Sequence, residues 1–323
     1  MEEQLAAEGC RFGFAENGGS GSRIGAAARP ARPMTPTITI PSAQLKAYRA
    51  QTYRLRSSLR LKDEDDALAF VDERGFVYFW PIKGVELPSL WAAVAGARPV
   101  ADAHDDPGHV TWRWKDALLG ARKWFYAKLL RGKATMVSLQ ALPYFYALSE
   151  NYGDLQNDYL LQYEEGRMTQ EAKAIFEALL QKGPLDTVAL RREARMTGEG
   201  SSARFERALA ELQTGLKISP VGVAEAGAWR YAFIYDLVDR FFPDLAERAR
   251  PLGRSEARSH LLNLYLRSVG AATENQAAQL FRWKPDEVRK AVDLLVKKRK
   301  ARRVAKVAGE EGDWAATARL LRT

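Results

Sequence analysis

The stretch "FWPIKGVELPSLW", residues 79–91, sets three aromatic rings, two prolines and the carboxylate of Glu86 into thirteen positions. Shortly after it, "HDDPGH", residues 104–109, adds Asp105, Asp106 and His109. Carboxylates and an imidazole exchange protons near neutral pH, so Glu86, Asp106 and His109 are the catalytic candidates. His104, Asp106 and His109 also have the donor types of a metal site. Asp-Asp-Pro-Gly, however, is a turn sequence with cap-forming carboxylates, and no metal is expected. Flat rings stack on unpaired bases, which makes Trp80 and Trp91 stacking candidates, although the same rings would also fill a core. A third kind of chemistry lies far downstream. "KKRKARR", residues 297–303, is a dense run of cations of the sort that neutralises phosphates.

Other signatures are missing. The sequence has no phosphate-cradling glycine motif, no nucleophile elbow and no His-Glu-x-x-His pair, and no cofactor is expected. With Cys10 as the single cysteine, neither an intrachain disulfide nor a cysteine cage can form. Every long apolar run is broken by a charge or a proline, and the N-terminal "MEEQLAAEGC" is acidic where a signal peptide is basic. The expected compartment is the cytoplasm, with no membrane partner. At 323 residues the chain has room for two or three cores, and its formal charge of +9 favours a polyanionic partner.

The elements that must hold these groups are clearest after residue 165. Ile175, Ala178 and Leu179 share one helical face, which Gly183-Pro184 closes. A second helix starts at the cap Asp186 or Thr187, and a third carries Phe205, Ala208, Leu209 and Leu212 at i, i+3, i+4, i+7. "LKISPVGV" and "AWRYAFIYDLV" then read as two strands around a turn. Three helices and a two-stranded wing make a winged helix-turn-helix. The order recurs from residue 255, and Phe205/Val288, Leu209/Val292 and Leu212/Leu295 all stand 83 positions apart. Residues 38–165 show helices near 42–50, 64–74 and 113–119 and a strand pair around Gly132, enough for a third, decorated unit. The expected fold is therefore mainly α with small β wings. It divides into a tail (1–37), a decorated winged-helix-like domain (38–165), a second winged helix (166–250) and a third (251–323).

Winged helices commonly set their third helix into a DNA groove and touch the backbone with the wing. The DNA-binding candidates are Arg191, Arg192, Arg204 and Arg207 in the middle unit. In the last unit they are Arg289, Lys290, Lys297, Lys298, Arg299, Lys300 and Arg302. Residues 282–323 hold thirteen Lys or Arg against six Asp or Glu, a local +7 that carries most of the chain's excess. The expected partner is double-stranded DNA, bound by a monomer.

The phrases "RKWFYAKLLRGKATMVSLQALPYFYAL", "GPLDTVALRR", "RFERALAELQTGLKISPVG", "GAWRYAFIYDLVDRFFPD" and "LNLYLRSVGAATENQAAQLF" follow one another in an order that resembles the AlkZ/YcaQ-related group of proteins. The likeness spans about residues 40–323. Founding members of that group are bacterial DNA glycosylases that excise alkylated or crosslinked bases. The resemblance implies three winged helices around a concave basic surface. It also implies a catalytic Gln-hydrophobic-Gln or Gln-hydrophobic-Asp motif after an early helix. Here "DALAFVDERG" is followed by "FVYFWPIKGVE", with Phe79, Trp80 and Pro81 in that neighbourhood and no glutamine. Cleavage of a glycosidic bond needs a group that positions water or stabilises an oxocarbenium-like centre, and a carboxylate does either. That leaves three readings: a non-excising DNA-binding repair relative, a glycosylase with a substitute carboxylate, and a transcriptional regulator or interaction scaffold.

Overall fold

The computed structural model describes residues 38–101, 103, 105–227 and 230–322, so the expected tail lies outside the described residues. The described chain enters through β1 (Thr39–Ile40) and α1 (Ser42–Thr52), then repeats one pattern three times. The first copy is α2 (Glu64–Arg74), β2 (Phe76–Tyr78), α3 (Leu90–Ala95), α4 (Val110–Gly120), β3 (Trp124–Lys128) and β4 (Ala134–Ser138). After the connecting helices α5 (Leu142–Tyr146) and α6 (Asp158–Glu164) comes the second copy. It consists of α7 (Gln170–Lys182), β5 (Leu185–Asp186), α8 (Thr187–Glu193), α9 (Ser201–Thr214), β6 (Ile218–Ala224) and β7 (Ala232–Leu237). Two short helices follow, α10 (Val238–Phe241) and α11 (Leu245–Ala249). The third copy is α12 (Arg254–Val269), β8 (Ala271–Thr273), α13 (Glu274–Phe281), α14 (Pro285–Lys297), β9 (Ala301–Val307) and β10 (Glu310–Thr317). In each sheet the last strand of the copy lies between the first and the second: β2-β4-β3, β5-β7-β6 and β8-β10-β9, with β1 added in parallel to β9. The protein is mainly helical with small sheets.

Local sequence explains the repeated joints. Asp63, Thr169 and Thr273 accept backbone N–H groups at the starts of α2, α7 and α13, and Asp186 does so for α8. Gly75 and Gly270 end α2 and α12 at φ +83° and +82°, where a side chain is strained. A Cβ at Gly75 would also meet Leu264 Cδ1 of α12 at 2.6 Å. Arg122, Leu216 and Arg299 all lie two residues beyond their helices with φ +54°, +55° and +57°. They align the third helices of the copies, and Lys115 then falls where α9 has Leu209 and α14 has Val292.

The first sheet is buried on both faces. Phe76, Tyr78, Phe125, Ala127 and Val137 join a core that continues through Phe145, Phe241 and Phe242 into Leu261, Tyr265 and Val292 of the third copy. Val77, Phe79, Trp124, Tyr126 and Met136 face the other way, onto Phe70 and Trp114. The second copy encloses its own core of Ile175, Phe205, Leu209 and Ile218. The described residues form one compact unit, and among them no helix is long and apolar enough to cross a membrane.

Candidate functional site

The segment 79–91 is an excursion from a strand that closes on itself. β2 delivers Phe79, whose N–H donates to the Ala134 carbonyl at 2.9 Å, and the chain leaves at Pro81. It returns at Pro88, whose carbonyl accepts from Tyr78 N–H at 2.9 Å, and Trp91 N–H donates to the Phe79 carbonyl at 3.1 Å. Ser89 caps α3 through Ala92 N–H. These bonds hold Phe79 and Trp80 rigidly beside α4. Tyr78, at the end of the strand, is buried; loss of solvent pushes its phenol up to about 12.

An aromatic cluster grows from that point. Trp80 meets Phe79, Trp91, His109 and Trp112 at centroid distances of 4.5, 6.3, 6.1 and 5.8 Å. Trp112 in turn meets Tyr231 of the second copy at 6.1 Å, and Tyr231 meets Phe233 at 5.6 Å. Lys115 of α4 runs into the middle of these rings with its side chain fully buried. Its Nζ lies 4.4 Å from the Phe233 centroid, 4.8 Å from Trp112 and 5.4 Å from both Tyr126 and Tyr231. The ammonium donates to Asp116 Oδ1 at 2.5 Å and to the Tyr231 hydroxyl at 2.7 Å. Burial pushes the Lys115 amine below its ordinary range, against the pull of Asp116. The ring faces offset part of the lost hydration by cation–π attraction. At the surface of the cluster, Trp112 and Tyr231 remain 38% and 39% exposed.

The sequence candidates scatter around this centre. Trp80 belongs to the cluster and is half-buried. Trp91 does not serve as expected: it is fully buried, with Arg98 over one ring face, so no face is left for a base. His109 stands beside Trp80, and its Nε2 lies 3.0 Å from the Ala101 carbonyl, which can only accept. Asp106 is spent on a turn. Its Oδ1 accepts from Arg98 Nη2 at 2.6 Å and Gly108 N–H at 2.7 Å, and these two donors hold the carboxyl below its usual range. Glu86 points elsewhere, to Arg49 Nη1 at 2.8 Å on α1, and shares no partner with Asp106 or His109. The three acids and bases are not brought together. His104 lies outside the described residues, and no group of three metal donors occurs among the described residues.

The basic candidates divide by occupation. Arg191 is half-buried and donates to the Met196 carbonyl at 3.3 Å and to Ser201 and Ser202 Oγ at 3.2 and 3.1 Å, bracing the joint between α8 and α9. Arg192, Arg204, Arg289 and Lys290 are exposed, with acidic neighbours 3.5–3.8 Å away. Arg207 is exposed too. Lys297, Lys298, Arg299, Lys300 and Arg302 are all exposed, and none has a salt bridge to another described residue. Of Trp112, Lys115, Asp116 and Tyr231, the sequence signals only the first two, through "TWRWK", whose mixed rings and charge suit nucleic acid as well as ordinary packing. Nothing in it points across 115 residues to Tyr231.

The mainly helical chain with small sheets shares its fold with a solved structure. Streptomyces sahachiroi DNA glycosylase AlkZ is similar over 88% of this chain and 72% of that chain, with a TM-score of 0.51 at 14% identity, a likeness of fold. The profile of the AlkZ-related family matches residues 61–282, and the chain belongs to that family. No curated protein matches the chain.

Proposed function

We propose that this is a DNA-binding protein of three tandem winged helices, active in DNA repair and related to the glycosylases that remove alkylated or crosslinked bases. The repeated helix–strand–helix–helix–strand–strand order and the repeated strand order support the winged-helix reading. The observation that carries DNA binding is the run of exposed cations from Lys297 to Arg302, without salt bridges among the described residues, at the end of one third helix and the start of its wing. Cations already paired with carboxylates release fewer counterions on binding, so free ones give the larger return. The first copy contributes differently. Its third helix, α4, is partly covered by Tyr231 of the second copy, so its exposed Trp112 is offered as a stacking surface for an unpaired base. The segment after α2, where the family resemblance implies a glutamine motif, holds no glutamine.

A fluorescence anisotropy titration with a short mixed-sequence duplex tests this. Binding at a Kd of about 10⁻⁴–10⁻⁶ M near physiological salt, by a species that sediments as a monomer, is expected. Absence of duplex binding overturns the reading. A tight dimer that binds one defined operator supports regulation instead.

A further inference from the structure

We propose that Asp116 is a catalytic carboxylate, which directs water at the glycosidic carbon of a nucleotide whose base stacks on Trp112. This rests on the DNA-binding reading and assigns chemistry to a residue on α4, outside the segment after α2 where the family resemblance implies the catalytic motif. Three features converge on Asp116. The first is its asymmetric hydrogen bonding. Oδ1 accepts from Lys115 Nζ at 2.5 Å and from the Tyr231 hydroxyl at 3.0 Å, whereas among the described residues Oδ2 has only a 3.3 Å contact with the same hydroxyl. One oxygen is saturated and the other remains for water.

The second feature is direction. Lys115 and Tyr231 come from opposite sides of the junction between two copies and fix the carboxylate plane, while the side chain stays 20% exposed. The third is the neighbour one turn away. Trp112 and Asp116 are i, i+4 on α4, so their side chains share one helix face. Trp112 is, with Tyr231, one of the two exposed rings of the cluster. A base lying flat on it brings its sugar toward the carboxylate.

The step balances for a purine that carries an N7-alkyl cation. The bond between C1′ and the base nitrogen breaks, with its electron pair going to the base, which leaves neutral and needs no acid. Water forms the new bond to C1′. Its proton passes to Asp116 Oδ2 and then to bulk solvent, leaving an abasic sugar with a C1′ hydroxyl. The carboxylate also faces the positive charge that develops on the sugar ring. The surrounding rings exclude competing water and tolerate a cation.

The test is base release from a short duplex carrying one N7-methylguanine, scored as abasic sites that alkali converts to strand breaks. Wild-type protein is expected to release the base. Asp116→Asn should slow release by about 100-fold or more while duplex affinity stays within about threefold. Asp116→Glu, which keeps the charge but moves it, should also slow release. If Asp116→Asn does not fold, the doubly neutral Lys115→Gln/Asp116→Asn protein removes the unpaired buried ammonium and answers the same question. Release by either neutral variant within about threefold of wild type overturns the assignment. So does a wild-type protein that binds the duplex and releases nothing, a result that leaves the DNA-binding reading standing. Failure to bind the duplex overturns that reading separately.

Discussion

Lys115 shows why the chemistry of this chain is hard to read from its residues. It occupies a position that is leucine in the second copy and valine in the third, and it is as buried as they are. A buried ammonium persists because Asp116 and Tyr231 accept its hydrogen bonds and rings surround it. Asp116→Ala should therefore destabilise the fold by about 1–3 kcal/mol, below the fully buried range because Asp116 itself is partly solvated. Lys115→Met, which fills the same space without a charge, should cost less than Asp116→Ala in urea unfolding. The opposite ranking would mean the ion pair does not hold this junction together. A second buried lysine, Lys217, gives a pH signature. Burial lowers its amine to about 8, with Asp158 and Asp239 opposing the shift and Arg167 adding to it. Between about pH 8 and the ordinary lysine value of 10.5, the unfolded chain binds the extra proton, so stability rises with pH across that window. Wild-type protein should gain on the order of 2 kcal/mol between pH 8 and 9.5 relative to Lys217→Met. Parallel pH curves for the two proteins would refute this.

At the scale of elements, legibility follows periodicity. The faces of α9 and α14 repeat at a constant offset of 83 because both are apolar at four matching positions. The copy in α4 stands 94 positions before α9, yet its sequence hides the match. Thr111 and Lys115 stand where the other helices are apolar, so the amphipathic pattern breaks where the aromatic cluster begins. Strand β2 is hidden for a different reason. Phe76 and Tyr78 enter one core and Val77 and Phe79 the other, so the run shows no alternation of polar and apolar residues. Its pairing with β4 also depends on residues almost sixty positions away. Helix ends are easier, since a φ near +80° directly after a helix favours glycine, as at Gly75 and Gly270. Gly75→Ala and Gly270→Ala should each lower stability by about 1–3 kcal/mol, through backbone strain and displacement of Leu264 in one case and of Leu45 and Tyr48 in the other. A thermal midpoint unchanged by either substitution would contradict the conformations that end α2 and α12.

For the whole molecule, composition points correctly to a basic protein, and the local charge count places most of that excess in the last copy. The structure adds which cations are free. Arg303, inside the same run, is held by Glu274 at 2.6 Å and Asp293 at 2.9 Å, whereas its neighbours from Lys297 to Arg302 have no such partners among the described residues. The sequence could not make that distinction, because Glu274 lies 29 positions away on another helix. The shared core of the first and third copies ties the aromatic cluster and the cationic run into one body. The third copy would then grip the DNA backbone while the first receives a base. The measurement that bears most directly on this division of labour is the slope of log binding constant against log salt, for wild-type protein and for the Lys297→Gln/Lys298→Gln/Arg299→Gln/Lys300→Gln variant. Glutamine keeps a helix propensity close to that of lysine and arginine, so the fold should survive. Each phosphate that goes without its cation lowers the slope by about 0.9, and not all four side chains reach a phosphate. The predicted fall is therefore about two, with affinity reduced alike for every duplex sequence. An unchanged slope would contradict DNA binding by the third copy, because the run would then be a solvated surface with no part in holding the duplex.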